Sequence, residues 1–185
     1  KISEYLSDEE AKHLSRARSL TLDILGDVSA ISFGRDEMKS QNIMVLIINE
    51  LTSKHRCILD SATHTLSRWT EFSQGAELFL KENIESSDVK PQLERVEERP
   101  SSALWMTEVL ANISGLASDD GVKLAMRFDV PKYMARFLKR DQRENLLNAT
   151  LRVVTNLSHN IPGNNEILKN KILDKVCDLI SKSKK

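Results

Sequence analysis

The sequence predicts an all-α fold in which similar helices recur and stack. Three observations lead there. Val109-Leu110-Ala111-Asn112-Ile113-Ser114 returns as Val153-Val154-Thr155-Asn156-Leu157-Ser158, displaced by 44 residues. The 185 residues include only 6 Gly and 4 Pro and few dense β-branched runs, a composition that favours helix. Hydrophobic residues are 40% and charged residues 29%, a globular balance rather than a disordered one. A period of that size between apolar helices marks a repeat array, in which no unit buries its apolar face alone.

In chain order, Ser7-Asp8-Glu9-Glu10 reads as a helix start, with acids over the first turn. Apolar spacing from Leu14 to Ile31 then fits one long helix over residues 10–31, and Gly34 closes that unit. Residues 35–41 read as a short helix. Residues 43–51 are apolar and β-branched, so strand is the rival, but helical neighbours on both sides favour helix. A second long helix is expected over 55–72, followed by Gly75 and a short amphipathic helix over 76–83. The polar stretch 85–100 is atypical: Pro91 and Pro100 interrupt it, so 85–91 reads as a loop and 92–99 as a weak helix. Ser101-Ser102 caps a third long helix, 103–117. Asp119-Asp120-Gly121 breaks that helix and caps a short one to Phe128. Pro131 opens the next, where a missing N–H costs nothing. The fourth long helix spans 143–159 and ends at Pro162-Gly163-Asn164-Asn165. Helices at about 165–170 and 172–181 and a basic tail finish the chain.

Laying the long helices on one register tests the repeat. Leu22, Leu66, Leu110 and Val154 are spaced by 44 and all aliphatic, and Leu25, Trp69, Ile113 and Leu157 are all large and apolar. Val28, Phe72 and Leu116 continue the pattern, which fails only at Asn160. The position before the first set is β-branched in all four helices: Thr21, Thr65, Val109 and Val153. Trp69 lies on this core register and reads as packing. The repeating unit is therefore short helix, medium helix, long helix, and residues 1–185 form one domain.

A three-helix unit of this length resembles the armadillo repeat, with the two-helix HEAT repeat as runner-up. Leu110-Ala111-Asn112-Ile113-Ser114 and Val154-Thr155-Asn156-Leu157-Ser158 are similar to the signature that closes the armadillo third helix. The first two units carry Ile24 and Arg68 at the Asn position. The resemblance implies a right-handed α-solenoid of about four armadillo-like repeats, whose third helices line a concave groove. In that family the Asn bonds the backbone of an extended peptide, a role carried over only to Asn112 and Asn156. A carboxamide suits it, offering both a donor and an acceptor. The bland alternative is that these Asn side chains bond a neighbouring repeat's backbone or cap a helix end.

One turn earlier, His64, Glu108 and Arg152 share the groove face. Many peptide-binding members of the family have Trp there, and this chain has none, which departs from the family's grip on Lys/Arg peptides. Trp105 lies two turns before Asn112 and reads more readily as core than as contact. Asp27, Glu71, Gly115 and His159 border the same face, and with Arg68 the groove has mixed charge. His64 and Glu108 read most simply as solvated positions, whereas Arg68 and Arg152 are the better interface candidates.

Other function classes find little support. Lys and Arg together number 27, as do Asp and Glu, so the basic excess of a nucleic-acid binder is lacking. Lys132, Arg136, Lys139, Arg140 and Arg143 form a modest basic stretch diluted by acids. No metal-ligand spacing, glycine phosphate loop or nucleophile elbow occurs, so the reading is non-catalytic, with no cofactor and no metal. No apolar run spans a bilayer. Cys57 and Cys177 read as buried thiols of a reducing compartment, which with the absence of a signal pattern suggests an intracellular protein of the cytoplasm or nucleus. Sequons at Asn112, Asn148 and Asn156 fall within helices and are set aside. The chain starts at Lys1 without Met and reads as a fragment of a longer protein. The expectation is an adaptor or scaffold that binds a protein segment, extended or helical, in the groove. The alternative is a regulatory or self-assembling domain of a larger protein that docks on another domain, a second copy or a small ligand.

Overall fold

The computed structural model describes residues 8–182, and all regular structure among them is helical. The long helices are α1 (Asp8–Ser29), α4 (Arg56–Thr70), α7 (Pro100–Ser114) and α10 (Glu144–Ser158). Between them run short–medium pairs: α2 (Ser32–Ser40) with α3 (Ile43–Asn49), α5 (Ser73–Lys81) with α6 (Ser86–Glu94), and α8 (Asp120–Arg127) with α9 (Val130–Phe137). A last pair, α11 (Ile161–Lys169) and α12 (Ile172–Lys182), follows α10. The stretch whose rival reading was strand is helical, α3 passing into a 3₁₀ turn over Glu50–Thr52.

The long helices pack in chain order, α1 on α4, α4 on α7 and α7 on α10. Their shared register becomes the core: Leu66, Leu110, Trp69, Ile113 and Leu157 are all 0% exposed. Side chains then tie each unit to the one before it, at roughly one repeat's separation. Thr65 donates to the Leu22 carbonyl at 2.6 Å in the long-helix row. Gln92 donates to Leu51 O at 2.9 Å, Arg127 to Ile84 O at 2.7 Å, and Lys175 to Ala135 O at 2.6 Å among the medium and short helices. A neutral hydrogen bond contributes only about 1 kcal/mol net. Spread over both layers of helices, however, these bonds each pin one unit to a set point on the unit before it.

Several expected boundaries move. Gly34 and Gly163, read as ending units, instead open short helices: Gly34, Gly75, Gly121 and Gly163 lie in the first turns of α2, α5, α8 and α11. The reason is shared. A Cβ at these positions would meet the carbonyl oxygen of Val28, Trp69, Ile113 or Leu157 at 2.3, 2.2, 2.0 or 2.1 Å. Each short helix starts by crossing the end of the preceding long helix at backbone contact, and only glycine fits there.

The atypical segment is also corrected. Residues 85–91 are mostly helix rather than loop, and the expected weak helix over 92–99 stops at Glu94. The Glu85 N–H donates to Asp88 Oδ2 at 2.8 Å in a capping box, and Val89 and Leu93 are fully buried. That capping and burial outweigh Pro91 inside the helix. Ser101-Ser102 does not cap α7, which already starts at Pro100; Ser102 is buried and donates to the Asp60 carboxylate on α4. Ser7, expected to start α1, lies outside the described residues. Cys57 and Cys177 are free but exposed rather than buried; Cys57 lies near the start of α4, where its Sγ stands 3.9 Å from Ser15 O on α1. No helix among the described residues is long and apolar enough to cross a membrane.

Candidate functional site

An open groove of about 750 Å³ runs across the long-helix row where α4, α7 and α10 lie side by side. Asn112, Arg152 and Asn156 line it, with Thr70, Glu71 and Asn148. Helical spacing brings them together: Asn148, Arg152 and Asn156 are successive i, i+4 positions on α10.

The hydrogen bonds assign each group a job. Asn112 Nδ2 donates across to Thr70 Oγ1 at 3.2 Å and to the Ser67 carbonyl at 3.3 Å. Its Oδ1 accepts from the Arg152 guanidinium at 2.8 Å. Asn156 repeats the tie one unit on, donating to the Ala111 carbonyl at 2.8 Å. Both carboxamides thus spend their donors on the preceding long helix, the bland role weighed for them in the sequence. What still faces the groove is different. Asn156 Oδ1 has no hydrogen bond among the described residues, and exposed Arg152 has five N–H donors with one directed at Asn112.

The other candidates form a neighbouring strip between α1, α4 and α7. His64 and Trp105 stack with ring centroids 4.6 Å apart at a 36° tilt, both half-buried. Ser67 donates to Glu108 Oε2 at 2.6 Å, so Glu108 is more than a solvated charge. Arg68 pairs with Asp27 on α1. These four side chains do not line the groove around Asn112. Asn148 and Thr155 also line it, a placement legible in their spacing to Arg152 and Asn156.

A second cleft, about 500 Å³, opens between the α8–α9 pair and α11 and includes Asp129, Lys132 and Glu166. Asp129 joins α8 to α9 in the left-handed conformation (φ 56). Its hydrogen bond from Lys90 holds the carboxyl below its ordinary 3.8. The basic stretch is divided between clefts: Arg136, Lys139 and Arg143 border another, shared with Glu97 and Asp141. Among the described residues no group of three or more His, Cys, Asp or Glu is placed to hold a metal ion. The groove across α4, α7 and α10 is the stronger candidate because an unengaged acceptor and a cationic donor fork stand one turn apart in it.

Comparison with known proteins adds the fold alone. No protein-family model and no curated protein match the sequence. Two crystal structures of engineered proteins from the Northeast Structural Genomics Consortium share the fold. The first matches with a TM-score of 0.77 at 12% identity, covering 91% of this chain and 67% of that one. The second gives 0.75 at 14%, covering 96% and 71%. Identities this low leave function to the chain's own residues.

Proposed function

We propose that this chain is a right-handed, armadillo-like α-solenoid acting as a non-catalytic intracellular adaptor, binding an extended protein segment across α7 and α10. The long-helix row and the two Asn-bearing helix ends support the repeat assignment. One observation carries the binding reading: Asn156 Oδ1 and the Arg152 guanidinium offer an acceptor and a donor on successive turns of one helix, facing an open groove. A peptide group presents the complementary pair, an N–H for Asn156 and a C=O for Arg152, and a carboxylate on the segment would strengthen the second contact. Asn112 then acts as a positioning residue, because its Oδ1 orients the guanidinium.

The test is a display selection of linear peptides on the chain, followed by affinity measurements on Arg152→Ala. A hydrogen bond to a charged group contributes roughly 1.5–3 kcal/mol. Affinity should therefore fall at least about tenfold while the melting curve stays in place, since Arg152 is exposed. Selected peptides that bind the variant as well as the parent chain would remove the groove from the account.

A further inference from the structure

The groove across α4, α7 and α10 carries one charge on each of two facing walls. Glu71, the residue that ends α4, stands on one side, and Arg152 of α10 stands on the other. The other side chains lining it are uncharged. Both charges are exposed, and neither belongs to an ion pair among the described residues.

The neighbouring charges are engaged elsewhere. Arg68, one turn before Glu71 on α4, turns toward α1 and pairs with Asp27. Glu108, the register mate of Arg152 on α7, accepts from Ser67 on α4. Asn148 and Asn156, one turn to either side of Arg152, are neutral. Between the two walls the surface of α7 is low. Gly115 stands where the 44-residue register places Glu71 on α4 and His159 on α10, so no side chain rises from α7 at that level.

We infer that the groove selects an extended segment carrying two charges of opposite sign, a Lys or Arg over Glu71 and an Asp or Glu over Arg152. This rests on the peptide reading of the groove and adds to it the partner's charge pattern, with Glu71 as a residue that sets specificity. The spacing follows from the helix row. Adjacent helix axes lie about 8–10 Å apart, which puts α4 and α10 roughly 16–20 Å apart. On the shared register Arg152 lies about two turns before the level of Glu71, roughly 10 Å along the axis. The diagonal is about 20 Å, which about six extended residues span. An exposed pair of opposite charges contributes little affinity, but like charges brought together are disfavoured, so the pattern acts mainly by rejecting wrong segments.

Display selection of linear peptides on the parent chain and on Glu71→Lys tests it. Parent-selected peptides should pair a Lys or Arg with an Asp or Glu at about that spacing. On Glu71→Lys an acid should replace the base, while the acid facing Arg152 is retained. The substitution suits the fold, because position 71 is exposed and caps α4 at the end where a cation is favourable. A parent-selected peptide should bind Glu71→Lys roughly fivefold more weakly, and exchanging its base for Glu should recover the loss. The difference should narrow as salt is raised. Selected peptides that lack the base, or that bind Glu71→Lys as tightly as the parent, overturn the proposal. If those same peptides still lose affinity for Arg152→Ala, the groove reading survives without it. Peptides indifferent to both substitutions overturn the two together.

Discussion

Gly121→Ala separates close backbone packing from helix propensity, because the two predict opposite signs. Inside a helix, Ala is better than Gly by about 1 kcal/mol at most. At Gly121, however, the new Cβ would stand 2.0 Å from Ile113 O and 2.5 Å from its carbonyl carbon. Optimal contact is about 3.5 Å, so α8 must retreat from α7 by about 1.5 Å. The obstructing atoms are backbone, and no rotamer change relieves them. Overpacking of this kind costs roughly 1–3 kcal/mol or more, and the rigid partner places it at the upper end. The expected net loss is about 2 kcal/mol after the propensity gain. Gly26→Ala in α1 is the matched control: its nearest neighbour is the Thr65 hydroxyl at 3.3 Å, a side chain that has only tenths of an ångström to yield. Its change should stay within about 1 kcal/mol of zero. Urea denaturation followed by helix circular dichroism gives both numbers. A Gly121→Ala chain as stable as the parent would refute the crossing geometry on which the stacking of short on long helices rests.

Three further outcomes follow from the same structure. Asn156→Ala removes the tie to the Ala111 carbonyl and should lower stability by about 1 kcal/mol in urea denaturation; the side chain is thus a poorer probe of binding than Arg152. Burial and the hydrogen bond to Glu94 push the Tyr133 hydroxyl up to about 12 from 10.0. Its folded pKa is raised, so its contribution is complete below 10.0 and fades as pH climbs toward 12, and Tyr133→Phe should flatten that part of an alkaline stability profile. Asp129→Asn keeps a residue type that tolerates the left-handed backbone (φ 56) while deleting the charge paired with Lys90. The Asp129 carboxyl is depressed below 3.8, so the pair contributes above that value and is lost as pH falls through the folded pKa. Because Asp129 is largely exposed, the variant's deficit at neutral pH should be under about 1 kcal/mol and vanish in acid.

The frame of this fold was legible in the sequence because apolar burial repeats with it. Leu66, Leu110, Trp69 and Ile113 had to be buried for any helical stack to hold, and their spacing alone aligned the long helices. The ends of elements were less legible. Gly34 and Gly163 carry the same local signal whether a glycine closes one helix or lets the next cross it, and the difference lies in a tertiary contact. Residues 86–94 were obscured by Pro91, whose local cost is outweighed by a capping box and by burial of Val89 and Leu93. At the groove, the register placed Asn112, Arg152 and Asn156 together, but side-chain direction divided their work. The carboxamides turn toward the neighbouring helix, and the cation remains for a partner. Glu108 and Arg68 likewise spend their charge on Ser67 and Asp27 of adjacent helices, a choice that helical spacing does not encode.

Amide chemical-shift mapping with a selected peptide bound measures the central claim most directly. The account predicts perturbations clustered on Thr70, Glu71, Asn112, Asn148, Arg152 and Asn156, the wall of one groove across three long helices. Perturbations clustered instead on α8, α9 and α11, around Asp129 and Glu166, would contradict it and move the binding surface to the short-helix side.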